Sequence, residues 1–523
     1  MFEPAMRLIY IKNTRNWLRK KLFRKRVLLL SIGVGVPWLW VAWQCFGPLS
    51  PITISAETTI LTEPLTDDGR YVDYLTWGRE RFEPANARLA HEDRWCLLAG
   101  LLKHKQSPKE PKDLPVCVEF DQAFKGWLKD HSEFEQDWGR VSGFDVGVNQ
   151  VHVFRLQENS HPEIAEFLKV NEPWYTAVTD SEPTFAKLEC SSSEASPYLA
   201  GVLLQRTQEY RDRLARRFAI RAALQFHAGK FEAGLRDAQI MLKAAEHCET
   251  FCLIGLLGSW SLRQDAYEEI FNGLLLCHTI DDASYAELLR VPIDFSDQDL
   301  NSLLDGPQRF VMLDVIQRFH RAPMADLGVE SLLPQSLQSI ARRFAGHQLD
   351  FEQLMRFQNR FVDEMLDAMR LPSYREQANA IDVALKHPKA KVPRAPFSFS
   401  FFTHDFQTYA EQHLIASSFI ETLPESVAKQ KNIRRLLHLA VRLSLWKRAN
   451  GSYPEKLSDV LALPNLPPVS EVVLIDAFTD QPFAFERVGE RYRIRSAGPD
   501  MILDGGSLDD VSWPNESLLR SAE

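Results

Sequence analysis

The residues with the strongest claim to chemistry lie near the end of the chain. The run Ser496-Ala497-Gly498-Pro499-Asp500-Met501-Ile502-Leu503-Asp504-Gly505-Gly506-Ser507-Leu508-Asp509-Asp510 closes the sequence with aspartates interleaved with glycines. Hard cations such as Ca²⁺ take six to eight oxygen ligands, and glycine lets a short loop wrap an ion. The spacing is not that of an EF-hand. Taken on its own residues, the run also reads as an acidic, turn-rich loop whose aspartates cap backbone amides.

Catalytic grammar is sparse elsewhere. The sequence has no H-E-x-x-H, no G-x-S-x-G and no Walker loop, and Gly33-Val34-Gly35 lies in an apolar span where it cannot serve a nucleotide. The His404-Asp405 pair with His413 nearby has the residue types for acid–base or metal work, but surface and capping roles fit them better. Glu232/Asp237 and Glu268/Glu269 fall on helical stretches and read as solvated faces. Phe397 to Phe402 alternates aromatic and serine before doubling, as a buried or docking segment does. Of the seven cysteines, Cys45 falls in the apolar span. Cys96, Cys117, Cys190, Cys248, Cys252 and Cys277 are open either to disulfides, with 15 possible pairings, or to buried free thiols. Cys248 and Cys252 share a helix face at a spacing poorly suited to bridging, and nothing pairs with them as a zinc site.

The element that locates everything else is residues 27–46, VLLLSIGVGVPWLWVAWQCF, which carries no charge. At about 1.5 Å per residue, some 20 apolar residues cross a hydrocarbon core of about 30 Å. Pro37 is tolerable in a membrane helix, and Trp38, Trp40 and Trp43 suit an aromatic belt. Residues 1–26 hold nine Lys/Arg against Glu3 alone, so the expected orientation leaves the N-terminus in the cytoplasm and the bulk outside it. A cleaved signal peptide is the rival reading; Ser55-Ala56 is a poor cleavage site, which favours an uncleaved signal-anchor. The chain's net charge is −9; with +8 on residues 1–26 and none on the span, the remaining 477 residues carry −17. That balance argues against a nucleic-acid partner.

Past the span, residues 47–75 read as an extended polar connector with three prolines, β-branched residues and a turn at Asp67-Asp68-Gly69. Helical periodicity begins near Tyr71, is broken by a loop at 103–116 and irregular aromatic sequence at 131–175, and returns at 117–130 and from 197 onward. Residues 203–226, then His227-Ala228-Gly229-Lys230, then Phe231 onward, resemble a single tetratricopeptide hairpin. No second copy follows at the 34-residue period, so a helical bundle is expected rather than a solenoid. The apolar stretch 251–260 is too short to cross a bilayer and reads as a core helix. Further helices are expected at 284–289, 308–319, 333–344, 351–369, 373–385 and 405–449, with a proline-bearing basic break at 387–400.

After Asn450-Gly451 the pattern changes to Gly451-Ser452-Tyr453-Pro454-x-x-Leu457, a proline-rich stretch, and two strands at 482–487 and 491–495 joined across Val488-Gly489-Glu490. Together with the closing S-A-G-P-D-x3-D-G-G, residues 432–513 resemble the head domain of the type II secretion major pseudopilins. Ile475-Asp476-Ala477-Phe478-Thr479-Asp480-Gln481-Pro482 departs from that family's D-P-x-G-x-P-like turn by lacking its first proline and its glycine. The resemblance implies that the closing loop binds Ca²⁺ through Asp500, Asp504, Asp509 and Asp510, with carbonyls near Leu503 and Ser507. About 385 residues separate the span from the leading helix, unlike a pseudopilin, so the module looks grafted. More loosely, residues 57–74, Gly306-Pro307-Gln308-Arg309-Phe310-Val311-Met312-Leu313-Asp314 and the tail are similar to an uncharacterised family of membrane-anchored planctomycete proteins, which implies no activity.

The expected fold is therefore mainly α. It comprises a cytoplasmic basic tail (1–26), a single transmembrane helix (27–46), a connector (47–75), a large α-helical bundle ectodomain (76–400), and a long helix leading into a small α+β module with a short antiparallel hairpin (401–523). The expected function is a structural or protein-binding role in the cell envelope, with the lipid bilayer and other envelope proteins as partners. The alternatives are a secretion or surface-assembly component using the pseudopilin-like cap, and a hydrolase with its site among the helices.

Overall fold

The computed structural model describes residues 49–77, 172–179, 215–248, 253–293, 300–301, 304–305, 309–321, 350–386, 422–503 and 511–514, apart from single positions within them, together with Ala42, Trp43 and Lys169. Outside the described residues lie the rest of the 27–46 span and the stretches at 103–116, 117–130, 333–344 and 387–400. The aromatic run 397–402, His404, Asp405 and His413 also fall outside them.

The architecture is mainly helical with a small antiparallel strand module. The described helices are α1 (Glu172–Thr179), α2 (Arg216–His227), α3 (Phe231–Cys248), α4 (Leu253–Leu276), α5 (Asp282–Leu288), α6 (Arg309–Arg321), α7 (Phe351–Met369), α8 (Tyr374–Lys386) and α9 (Leu423–Asn450). Among the described residues no helix is long and apolar enough to cross a membrane.

The helical hairpin forms as the spacing predicts. α2 stops because Gly229 takes φ +73°, a left-handed conformation that costs glycine little, and its N–H closes on the Phe226 carbonyl at 2.9 Å. α2, α3 and α4 then pack on one another. The Phe226 ring fits between Gly234 of α3 and Gly273 of α4, where an added Cβ would sit 2.5 Å from it. The apolar stretch at 251–260 becomes the start of α4, with Leu253, Leu256 and Trp260 buried in the protein core.

α7 spans the residues its periodicity predicts, capped by Asp350, whose carboxylate accepts from the Gln353 N–H at 3.0 Å. α8 opens on a reciprocal cap. Ser373 Oγ accepts from Glu376 N at 3.2 Å, and Glu376 Oε2 accepts from Ser373 N at 3.3 Å. α9 ends at Gly451, φ +76°, as Asn450-Gly451 predicts. Residues 405–421 of that expected helix lie outside the described residues.

The segment expected to be an extended connector is instead folded into the core. Ile52, Val72 and Tyr74 are buried among the apolar residues of α4, α6 and α7. The Asp67-Asp68-Gly69 turn does form, closing an isolated antiparallel bridge between Leu65 and Val72. The irregular backbone is satisfied by side chains of the helices beneath it, as buried amides require. Gln317 of α6 meets Val72 as a strand would, accepting its N–H at 2.9 Å and donating to its carbonyl at 3.1 Å. Asn359 of α7 donates to the carbonyls of Glu57 and Thr58 at 3.0 and 2.9 Å. Glu352 of α7 accepts from the N–H of Thr53 at 3.0 Å and from its hydroxyl. Buried Arg309 joins α6 to α7 through Asp363 at 2.6 Å and the Asn359 carbonyl at 3.1 Å.

The strand module sits on α9. It has a two-residue hairpin, β1 (Ile475–Asp476) with β2 (Gln481–Pro482), and a sheet of β3 (Ala484–Val488), β4 (Arg491–Ser496) and β5 (Val511–Trp513) in that order, all antiparallel. The expected hairpin across Gly489 is β3–β4, with Gly489 at φ +59°. Pro482 belongs to the smaller hairpin, and β5 was not anticipated from its sequence. Tyr492 and Ile494 of β4 are fully buried while Arg491, Arg493 and Arg495 alternate to the other face. Tyr492 packs between Tyr453 and Trp513, at centroid distances of 4.8 and 5.4 Å.

Candidate functional site

The C-terminal loop begins at a joint built from three elements. β1 contributes Asp476, α9 contributes Asn432 and Arg435, and β4 ends at Ser496. The Asp476 carboxylate is buried and receives three donors: Asn432 Nδ2 at 2.7 Å and Phe478 N at 2.9 Å on Oδ1, and Ala497 N at 3.0 Å on Oδ2. Asn432 also accepts from Ala477 N at 2.7 Å and donates to Ser496 Oγ at 3.1 Å. Arg435 donates to the Ile475 carbonyl at 2.8 Å. The side chain of Asp476 thus ties the turn it opens to the first backbone amide of the closing loop. The opposite corner of this turn is Asp480, at φ +55°, the left-handed geometry that glycine adopts with ease.

From this joint the loop runs out over α8. Tyr374 donates to the Pro499 carbonyl at 3.3 Å while its ring meets Phe478 edge-on at 4.9 Å, and Arg375 Nε approaches Met501 Sδ at 3.4 Å. Gly498 and Met501 both take positive φ, +65° and +62°. Asp500 is exposed, and its Oδ1 accepts from Ile502 N at 2.8 Å. That bond is the backbone-capping role that competes with metal binding. Asp504, Asp509 and Asp510 lie outside the described residues, so of the four expected ligands the structure places Asp500 alone. Among the described residues no group of three His, Cys, Asp or Glu side chains is arranged to hold a metal ion.

The other candidates resolve into structural roles. Glu232 is exposed and shares a hydrogen bond with Asp281; that contact holds the Glu232 carboxyl above the usual range, while the Ser284 amide, which Asp281 caps, holds Asp281 below it. Asp237, expected on a solvated face, is buried against Arg221, which also reaches Glu172 of α1 at 3.2 Å. Glu269, likewise expected to be solvated, is buried, and burial drives its carboxyl well above the ordinary value, with Glu268 and Asp265 adding to the effect. Both were misplaced for one reason: α2, α3 and α4 enclose one another, so polar positions on these helices also face protein. Cys277 is a buried free thiol that donates to the Phe226 carbonyl at 3.4 Å, and burial pushes it up to about 11.

Nothing in the sequence singles out His320. Its Nδ1 meets the Tyr71 hydroxyl at 2.8 Å and its Nε2 meets the Ser50 carbonyl at 2.9 Å, with Phe351 edge-on at 4.7 Å. A lone histidine at the end of a helix carries no motif that would have singled it out. Asp476 did carry a signal, an Asp followed two residues later by an amide it could cap.

Fold and geometry together define a mainly helical protein with a small antiparallel strand module joined to its longest described helix through a buried aspartate. No protein-family model matches the chain, and neither does any curated protein or solved structure.

Proposed function

We propose that this chain is a single-span envelope protein, anchored through residues 27–46 with its N-terminus in the cytoplasm, whose helical body plays a structural or protein-binding role outside. The observation that carries the reading is the uncharged apolar span behind a basic leader, followed six residues later by Ile52, which is built into the helical core. Ser50, four residues past the span, is already hydrogen-bonded to α6. A tie so near the span suits a protein that presents its body close to the bilayer. Membrane fractionation with protease protection tests it. The full-length chain pellets with membranes and its body is cleaved only from the extracytoplasmic side; recovery from the soluble fraction without the N-terminus overturns it.

A second reading, a secretion or surface-assembly component, is favoured by the order of the C-terminal module: a long helix, a glycine cap, short hairpins and S-A-G-P-D. Co-purification with pilus-type subunits supports it, and a clean negative counts against it. Calcium in the closing loop belongs to this reading. The full chain then melts higher in Ca²⁺ than in EDTA and Asp504→Ala abolishes the difference; equal melting in both sinks the calcium site.

A further inference from the structure

We propose that Ser50, Tyr71 and His320 form an acid-opened clasp that holds residues 50–72 against α6 at neutral pH and lets them go on acidification. The hydrogen bonds determine where the protons are. The Ser50 carbonyl can only accept, so His320 Nε2 carries a hydrogen. In the neutral ring Nδ1 is then bare, and it accepts from the Tyr71 hydroxyl. A second proton can enter only at Nδ1, and Tyr71 must then turn its hydroxyl from donor to acceptor to keep the contact.

The surroundings resist that second proton. Arg321 lies 4.1 Å over the Tyr71 ring, so an imidazolium would form next to a guanidinium. Phe351, itself buried, packs at right angles to the imidazole with ring centroids 4.7 Å apart and helps keep water from it. Among the described residues, the charged and titratable groups facing the joint are Tyr71, Asp68 and Arg70 on the segment and Arg321 on α6. Asp68 is engaged by Thr66 Oγ1 and the Arg70 amide, and Glu352 of α7 is turned to Thr53. Burial is the larger cause and Arg321 adds to it; together they push the His320 imidazole below its ordinary value, against the opposing pull of the Ser50 carbonyl.

The sign follows. The released segment leaves His320 with an ordinary affinity for protons, at about pH 6.5, and the clasped state binds them less well. The clasp is therefore at full strength above about pH 6.5. It weakens by up to about tenfold in its closed-to-open ratio for each unit below that, until the clasped ring itself titrates. That the opening would free the helical body from its span rests on the anchor proposed above; the clasp itself does not.

Hydrogen exchange on the full-length chain in detergent, corrected for intrinsic exchange, tests the clasp. At pH 5.5 the peptides over residues 50–74 lose protection relative to pH 7.5, by up to about tenfold, while those over β4 do not. His320→Gln can donate to Ser50 and accept from Tyr71 but cannot take the proton, so it keeps its protection at both values. Should His320→Gln be unprotected throughout, nuclear magnetic resonance of histidine-labelled wild type decides: the Nε2–H tautomer with a midpoint below 6.5 supports the clasp, and an ordinary midpoint overturns it. Equal wild-type protection at both pH values, or a His320→Gln loss as large as the wild type's, also overturns it. A soluble chain with the clasp behaviour intact would overturn the anchor alone.

Discussion

Two joints in this molecule do similar work with different chemistry. At one, an irregular segment, residues 50–72, is held on α6 and α7 by Gln317, His320 and Asn359. At the other, the strand module is held on α9 by Asp476 and Asn432. In both, the backbone has left regular structure in a place where its amides are not free to reach water, so side chains replace the missing ladder. The first joint spreads the work over side chains that each make one or two bonds, and it includes a histidine that bridges Tyr71 and Ser50. The second concentrates it in one carboxylate that receives three donors. Charge-assisted bonds are roughly twice as strong as neutral ones. The cap joint is thus built to stay closed, and the strap joint to be the first to yield.

Four substitutions break or sharpen that contrast. Asp476→Ala has the largest effect, because Asn432 Nδ2 and the amides of Phe478 and Ala497 lose their acceptor together. The loss is about 3–5 kcal/mol, at about 1–3 kcal/mol for each orphaned donor reduced by partial relaxation, read by chemical denaturation. Gln317→Ala costs about 1–3 kcal/mol by orphaning both backbone groups of Val72; limited proteolysis should show cuts confined to residues 50–74. If it destabilises as much as Asp476→Ala, the contrast between the joints fails. Tyr492→Phe goes the other way. Among the described residues the buried Tyr492 hydroxyl has no hydrogen-bond partner, so removing it stabilises the cap by about 1 kcal/mol, seen as a higher Tm. Asp480→Gly is the smallest, a gain of about 0.5 kcal/mol from relieving a left-handed aspartate, offset in part by the entropy glycine adds to the unfolded chain.

Much of the helical scaffold was legible because its signals are local. α7 is visible in the spacing of Phe351, Leu354, Phe361, Val362 and Met365, the α2–α3 turn in Gly229, and the end of α9 in Gly451. The β3–β4 hairpin was legible in the alternation of β4 around a glycine turn. β5 was not, since three residues after an acidic loop carry no period and are strand only because β4 offers an edge. The buried carboxylates were illegible for a related reason. Asp237 and Glu269 look like any helical surface acid until the packing of α2, α3 and α4 determines which faces meet.

Of the loop expected to bind calcium, the sequence supplies the full set of aspartates, and the described structure reaches it at Asp500. What it adds there is the foundation: Asp476 and Tyr374 position the first residues of the loop. By itself the sequence determined most of the helices, the glycines that end α2 and α9, and the uncharged span, since each depends on residues within a few positions of one another; α1, which begins in a stretch expected to be irregular, is the exception. Tertiary structure alone decided that the apparent connector is core, that His320 and Asp476 are the residues that close the two joints, and which acids are buried. Those facts depend on contacts between residues up to about 300 positions apart, such as Asn359 with Glu57, and nothing local in the chain records them.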